Sequence, residues 1–243
     1  MRLDILLVEL GLALSRTEAK KFILEGAVKV DGRTVNKPAY DVQSDDSNVT
    51  VDKSSKRYVS RGGLKLECAL KEFNIDVSGK LAVDIGASSG GFTDCLLQNG
   101  ASHVISVDSG SGQMVDSIRR NPKVTVIENY NARFMKRSDF DYVPALAVMD
   151  VSFISATYII PAVYDVLSED GEFICLIKPQ FEVGRSGIGK GGIVKDEKTR
   201  QNAINKVTDF AKSQGFSLVS LTQSPIEGGD GNIEYLAYFR KGV

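Results

Sequence analysis

The segment Asp84-Ile85-Gly86-Ala87-Ser88-Ser89-Gly90-Gly91-Phe92 constrains the fold of this chain more than any other. It follows the apolar run Leu81-Ala82-Val83 and leads into a helix-compatible stretch, 93–98. A strand, a tight glycine-rich turn and a helix in that order aim backbone N–H groups at a bound nucleotide-like ligand. A second acid, Asp108, closes the next apolar run, His103 to Val107. A carboxylate there suits the ribose hydroxyls of an adenosine. With the strand-end acid Asp84, the pattern reads as a pocket for S-adenosylmethionine rather than a dinucleotide. The plain alternative is a glycine-rich turn that holds nothing.

The chain has 243 residues, enough for one large domain or a large and a small one. Lysine and arginine number 30 against 31 acids, a net charge of −1, so a nucleic-acid partner must be met by a local basic patch. Three dispersed cysteines, Cys68, Cys95 and Cys175, fit a reduced, cytoplasmic protein. A single histidine, His103, excludes a histidine-based catalytic pair or a multi-histidine metal site. No apolar run approaches the roughly 20 residues of a membrane span, and Asp4 and Glu9 interrupt any signal-peptide pattern.

The N-terminal stretch has its own pattern. Leu3, Leu6, Leu7 and Leu10 share one helical face, and Gly11 ends it. Ser15 and Glu18 form a capping box for a second helix, with Leu14 and Ala19 as its staple. Val28 to Val35, alternating around Asp31-Gly32, predicts a hairpin. Arg2, Arg16, Lys20, Lys21 and Arg33 supply a basic surface able to meet a phosphate backbone, although a solvated helix face has the same composition. The polar, basic, glycine-ended segment 52–63, with Arg57 and Arg61, reads as a linker. The expected division is residues 1–56, a linker over 57–63, and a second domain over 64–243.

Beyond residue 81 apolar strands alternate with helices. Strands are expected near 81–86, 103–108, 124–128, 145–150 and 172–178, and helices near 92–99, 112–120, 154–167 and 196–214. Two closing strands follow, at 217–222 and 233–239. The fold class is α/β, a doubly wound, mostly parallel sheet with an antiparallel edge strand, joined to a small α+β N-terminal domain. Four ionisable residues stand at element ends or in apolar surroundings: Lys65, Asp150, Lys178 and Glu234. The carboxyl ends of strands form the ligand crevice in such a sheet, so Asp150 and Lys178 point toward the glycine turn. A second lysine and burial would lower the pKa of Lys178 and make it a general base, whereas neighbouring carboxylates would keep it charged and orienting. Two buried salt bridges at a domain seam are the structural alternative.

These residues carry two resemblances. The run from Arg2-Leu3-Asp4 through Ser15-Arg16, Gly26-Ala27-Val28-Lys29-Val30-Asp31-Gly32 and Lys37-Pro38 looks like the ribosomal protein S4-like RNA-binding domain. The glycine turn, Asp150-Val151-Ser152-Phe153-Ile154-Ser155 and Lys178-Pro179-Gln180-Phe181-Glu182 resemble the TlyA/hemolysin family of FtsJ-like ribose 2′-O-methyltransferases acting on ribosomal RNA. The resemblance implies a Rossmann-like class I methyltransferase fold using S-adenosylmethionine, with ribosomal RNA or a ribosomal subunit, its cytidines among the targets, as partner. It implies a tetrad of Lys65, Asp150, Lys178 and Glu234 around the ribose 2′-hydroxyl. It also implies a cofactor pocket drawing on Asp84, Gly86, Ser88, Gly90 and Asp108, with Asn131 and Ala132 beside the adenine, and no need for a metal. Ser88 departs from the glycine common at its position.

A run resembling a phosphate-binding loop, Gly184 to Lys190, lacks the hydroxyl residue that holds magnesium, because Gly191 stands there. Two rival readings remain: a non-catalytic ribosome-binding protein that kept the fold, and a membrane-lytic protein, as the family's hemolysin name suggests. The complete tetrad opposes the first, and the lack of a span or amphipathic membrane helix opposes the second.

Overall fold

A computed structural model describes residues 1–24, 26–43, 48–52, 57–184 and 187–242, without the side chains of residues 21 and 190. The N-terminal unit holds α1 (Leu3–Glu9), α2 (Arg16–Leu24), β1 (Val28–Val30), β2 (Arg33–Thr34) and β3 (Val49–Val51). Its three strands pair in the order β2-β1-β3. Asp31 and Gly32, at the β1–β2 turn, both have positive φ (50° and 78°), the twist that a two-residue hairpin needs. Leu3, Leu7, Ala19, Phe22, Ile23 and Val28 form its core. The Ser15 hydroxyl accepts the Glu18 N–H at 3.1 Å, while the Glu18 carboxylate reaches back to the Leu14 N–H at 2.6 Å. Leu14 is 93% exposed, so the expected staple with Ala19 does not form.

The remaining elements are α3 (Gly62–Glu72), β4 (Leu81–Ile85), α4 (Gly91–Gln98), β5 (His103–Val107), α5 (Asp116–Arg119), β6 (Val124–Ile127), β7 (Leu146–Met149), α6 (Ile160–Val166), β8 (Glu172–Ile177), α7 (Pro179–Glu182), α8 (Glu197–Ser213), β9 (Phe216–Gln223) and β10 (Tyr235–Lys241). The strands form one seven-stranded sheet in the order β6-β5-β4-β7-β8-β10-β9. The first five in space run parallel. β10 is antiparallel to both β8 and β9, so the antiparallel strand lies one place in from the edge. From β4 the chain first builds outward through β5 and β6, then crosses to β7 and β8 on the other side. This reversal opens a crevice at the carboxyl ends of β4 and β7.

Two apolar layers cover the sheet faces. One gathers Val83, Ile85, Met149, Ile160, Phe173 and Phe239, and the other Leu66, Leu70, Phe92, Leu96, Val148 and Leu176. The helix expected over 112–120 is shortened to α5, and the one expected over 154–167 becomes a 3-10 turn (Ala156–Tyr158) followed by α6. Pro161 sits in the first turn of α6, where a missing N–H costs nothing. α3 begins at Gly62, inside the segment read as linker, and Tyr58 is buried against it. A side chain at Gly63 would stand 2.3 Å from the Tyr58 ring, so glycine is required for that packing. Residues 53–56 of that segment lie outside the described residues. Among the described residues no helix is long and apolar enough to cross a membrane.

Candidate active site

The crevice holds two adjoining cavities. The larger, about 610 Å³, is lined by Gly86, Ser88, Asp108, Gln113, Asn131 and Ala132 among others. Asp108 follows β5, and its carboxylate accepts the Ser88 and Gly110 N–H groups, each at 2.7 Å. That fixes it at the cavity edge. Gly86, with φ +85°, lies so close to the Asp150 carbonyl that a Cβ would approach its oxygen to 2.4 Å. Ser88 adopts φ +46° and its hydroxyl meets the Gln113 amide oxygen at 3.0 Å, so a non-glycine residue is accommodated in the turn. Asn131 caps the following 3-10 turn by accepting the Arg133 N–H at 3.1 Å.

The second cavity, about 410 Å³, is lined by Lys65, Asp150, Lys178, Ser60, Arg61 and Leu24 among others, and shares Gly86, Ser88, Asp150 and Ser152 with the first. Its chemistry lies in two ion pairs. Lys178 Nζ is 2.5 Å from Asp150 Oδ1 and donates to Ser152 Oγ at 2.8 Å. Lys65 Nζ donates to Glu234 Oε2 at 2.5 Å. Lys65 comes from α3, Asp150 follows β7, Lys178 follows β8, and Glu234 precedes β10. The four side chains predicted to act together therefore converge from four separate elements, 169 residues apart in the case of Lys65 and Glu234.

Burial raises the Asp150 pKa, but the positive charges of Lys178 and Lys65 overcome it and hold the carboxyl below its ordinary value. Burial likewise pushes the Lys178 ammonium down, and the charges of Asp150 and Glu234 outweigh it, so the net shift is upward. Lys178 is thus an ammonium at neutral pH. The shift at Lys178 runs opposite to the one a neutral lysine base would need, because carboxylates rather than a second ammonium dominate its surroundings.

Not every residue expected at the site reaches a cavity. Asp84 is fully buried beneath the turn, accepting from Thr93 Oγ1 at 2.6 Å, and burial lifts its pKa to about 7. It braces the strand-to-helix junction and does not face ligand space. Gly90 lies against Ile118, where its φ of +96° ends the turn; it lines neither cavity. Two residues of the Asp150–Ser155 motif that were given no role from the sequence also belong to the site: Ser152, which lines both cavities, and Phe153, 91% exposed with φ +65° beside the larger one. An aromatic residue placed just after a strand-end acid was the available signal for Phe153.

The basic residues divide. Arg2 and Arg16 converge on the buried Asp4, at 2.9 Å each, and stay half-exposed. Arg2 is the largest reason that the Asp4 pKa falls to about 2. Lys20, one turn after Arg16, and Arg33 are exposed. The Lys21 side chain lies outside the description. Arg57 is engaged by Glu67, itself shared with Lys71, and stacks near Tyr58. Arg61 lines the second cavity, its guanidinium close to Gly26 of the N-terminal unit.

A switch-point crevice with an adenosine-sized cavity, joined to a lysine–carboxylate cavity, defines a class I methyltransferase. The FtsJ-like methyltransferase model matches residues 58–241, and the S4 domain model matches residues 1–48. The chain belongs to the FtsJ-like methyltransferase family and carries an S4 domain. It is 45% identical to Hemolysin A of Brachyspira hyodysenteriae, over 98% of this chain and 99% of that one. It is 41% identical to the 16S/23S rRNA (cytidine-2'-O)-methyltransferase TlyA of Mycobacterium tuberculosis, over 98% of this chain and 89% of that one. A solved structure from Streptococcus thermophilus, described as a hemolysin, superposes with a TM-score of 0.80 at 43% identity, covering 100% of this chain and 88% of that one.

Proposed function

We propose that this protein is an S-adenosylmethionine-dependent ribosomal RNA methyltransferase that modifies the ribose 2′-hydroxyl of cytidine. The observation that carries this reading is the Lys178–Asp150 pair, in which Asp150 lines both cavities and Lys178 the second. The larger cavity suits the cofactor in size and donor set: Asp108 at one edge, Asn131 and Ala132 at another, and Gly86 where no side chain fits. S-adenosylmethionine, when bound, supplies an electrophilic methyl group.

The residues of the chain do the rest. The Lys178 ammonium donates a hydrogen bond to the ribose oxygen and orients its lone pair. Asp150 and Ser152 hold that ammonium in place, and Lys65 with Glu234 walls the far side of the ribose. Forming the new carbon–oxygen bond makes the hydroxyl proton strongly acidic, so a carboxylate suffices to take it and no neutral lysine is needed. Alignment of this kind contributes up to about 7–11 kcal/mol in favourable systems. Residues 1–56 act as the RNA-binding domain through Arg2, Arg16, Lys20, Lys21 and Arg33, residues 57–63 join it to the methyltransferase domain of 64–243, and Arg57 and Arg61 extend the basic surface. This chemistry belongs in the cytoplasm, with the ribosome.

Incubating the protein and Lys178→Ala with methyl-labelled S-adenosylmethionine and unmodified ribosomal subunits tests the reading. Label mapping to a ribose 2′-oxygen with the parent, and little with the variant, is expected. Absence of label on subunits and on free ribosomal RNA, despite cofactor binding, would favour a non-catalytic ribosome-binding protein.

A further inference from the structure

The N-terminal unit reaches the tetrad's outer pair from two directions. Asn36, which follows β2, donates its side-chain amide to the carbonyl of Gly229. Gly229 sits in a tight turn closed by the Gly228 N–H on the Asn232 carbonyl (2.8 Å) and the Gly231 N–H on the Gly228 carbonyl (2.9 Å). Gly228 is the seat of the catalytic-side carboxylate: a Cβ there would stand 2.5 Å from Glu234 Oε1. Glu234 grips Lys65, and Lys65 on α3 lies one turn from the N-cap residue Arg61, whose guanidinium packs on Gly26 of the N-terminal unit. Asn232 ties the same turn to the loop before α8, accepting the Val194 N–H at 2.9 Å and donating to the Gly192 carbonyl at 3.0 Å. Leu24 from the N-terminal unit and Gly229 both line the tetrad's cavity.

We propose that Asn36 is a positioning residue: by holding the Gly228–Gly231 turn it sets Glu234 against Lys65, so the N-terminal domain completes the acceptor site as well as binding RNA. This rests on the tetrad reading given above. The turn also brings Asp230, whose charge adds to those holding Lys178 protonated. The link has a chemical requirement. The Gly229 carbonyl can only accept, so the partner must donate, and an aspartate of the same shape would repel it.

The test is single-turnover methylation of ribosomal subunits by the full-length protein, comparing parent, Asn36→Asp, Asn36→Gln and Lys178→Ala, with subunit Kd measured in parallel. Asn36→Asp is expected to lower the rate at saturating subunit by about 10-fold or more, since small misplacements of reacting groups carry penalties of that size. Subunit Kd should stay within about 2-fold, and Asn36→Gln, which keeps the donor, should recover most of the rate. A parent-like saturated rate for Asn36→Asp, with Lys178→Ala inactive, overturns the proposal while leaving the tetrad intact. So does a loss confined to subunit affinity, which would make Asn36 a docking contact. A fully active Lys178→Ala would overturn the tetrad reading itself, and the role of Asn36 with it.

Discussion

Lys178 and Asp150 stand 2.5 Å apart at the carboxyl ends of neighbouring parallel strands. Adjacent strands deliver both charges to one place with no loop to order, and the upward shift at Lys178 means that the pair is an ion pair throughout the neutral range. Lys178→Ala is expected to slow methyl transfer by roughly 10²-fold or more with little change in cofactor affinity. The pH–rate profile should lack a lysine limb between about pH 7 and 9. A rate rising about tenfold per pH unit there, and lost in the variant, would instead identify a neutral lysine base.

Gly86→Ala tests the close approach of the turn to β7. The substitution places a Cβ 2.4 Å from the Asp150 carbonyl oxygen at φ +85°. Strain of this kind costs about 1–3 kcal/mol and must be relieved by moving Asp150 or the turn. A lowered Tm together with a cofactor Kd raised about tenfold or more is expected by calorimetry. Unchanged cofactor affinity would remove the turn from the binding site.

Asp84 makes stability depend on pH. Its folded pKa, lifted to about 7 mainly by burial, lies above the value of 3.8 for a free aspartate, so the folded state binds more protons between the two. Stability is therefore full below about pH 4 with respect to this group, and is lost as pH rises toward and through 7, with a slope of at most about 1.4 kcal/mol per unit. Asp84→Asn, which can still accept from Thr93, should flatten that slope in urea titrations across the window. An unaltered slope would show that another group controls it.

Asp4 works in the opposite sense. Its carboxyl, held at about 2 first by Arg2, contributes stability that is complete above about pH 4 and lost as pH falls through 2. Asp4→Asn is expected to lower Tm, yet to tighten RNA binding at low salt, because the Arg2–Arg16 pair gains one net positive charge. Arg16→Ala should weaken binding evenly across RNA sequences and reduce the salt slope by about 1. If neither variant alters RNA affinity, this face is only a solvated surface.

The parallel sheet was legible because its strands are apolar end to end and its glycine turn follows one of them. The tetrad was legible in part for the same reason: Asp150 and Lys178 are charges that interrupt strand ends. Lys65 and Glu234 stand out locally only as charges beside apolar runs; that they join the other two rests on family resemblance, since nothing local reveals that α3 and the approach to β10 meet. α3 itself was hidden by the basic, glycine-ended stretch before it, although Leu66, Ala69 and Leu70 carry its buried face. Asp84 misled because a strand-end acid reads identically whether it faces a ligand or turns under the loop to meet Thr93. Leu14 failed as a staple for a related reason: spacing places a side chain on a helix end, and only the chain's approach angle decides whether it is covered.

The insertion of β10 between β8 and β9 has a consequence for the order of synthesis. Lys65 leaves the ribosome 169 residues before Glu234, and the sheet has a gap beside β8 until β10 arrives to fill it. The strands and helices of residues 3–51, by contrast, find their partners within that short span. A growing chain thus acquires its RNA-facing unit early and its ion-pair tetrad only with the last strand, so the ability to hold RNA precedes the ability to modify it.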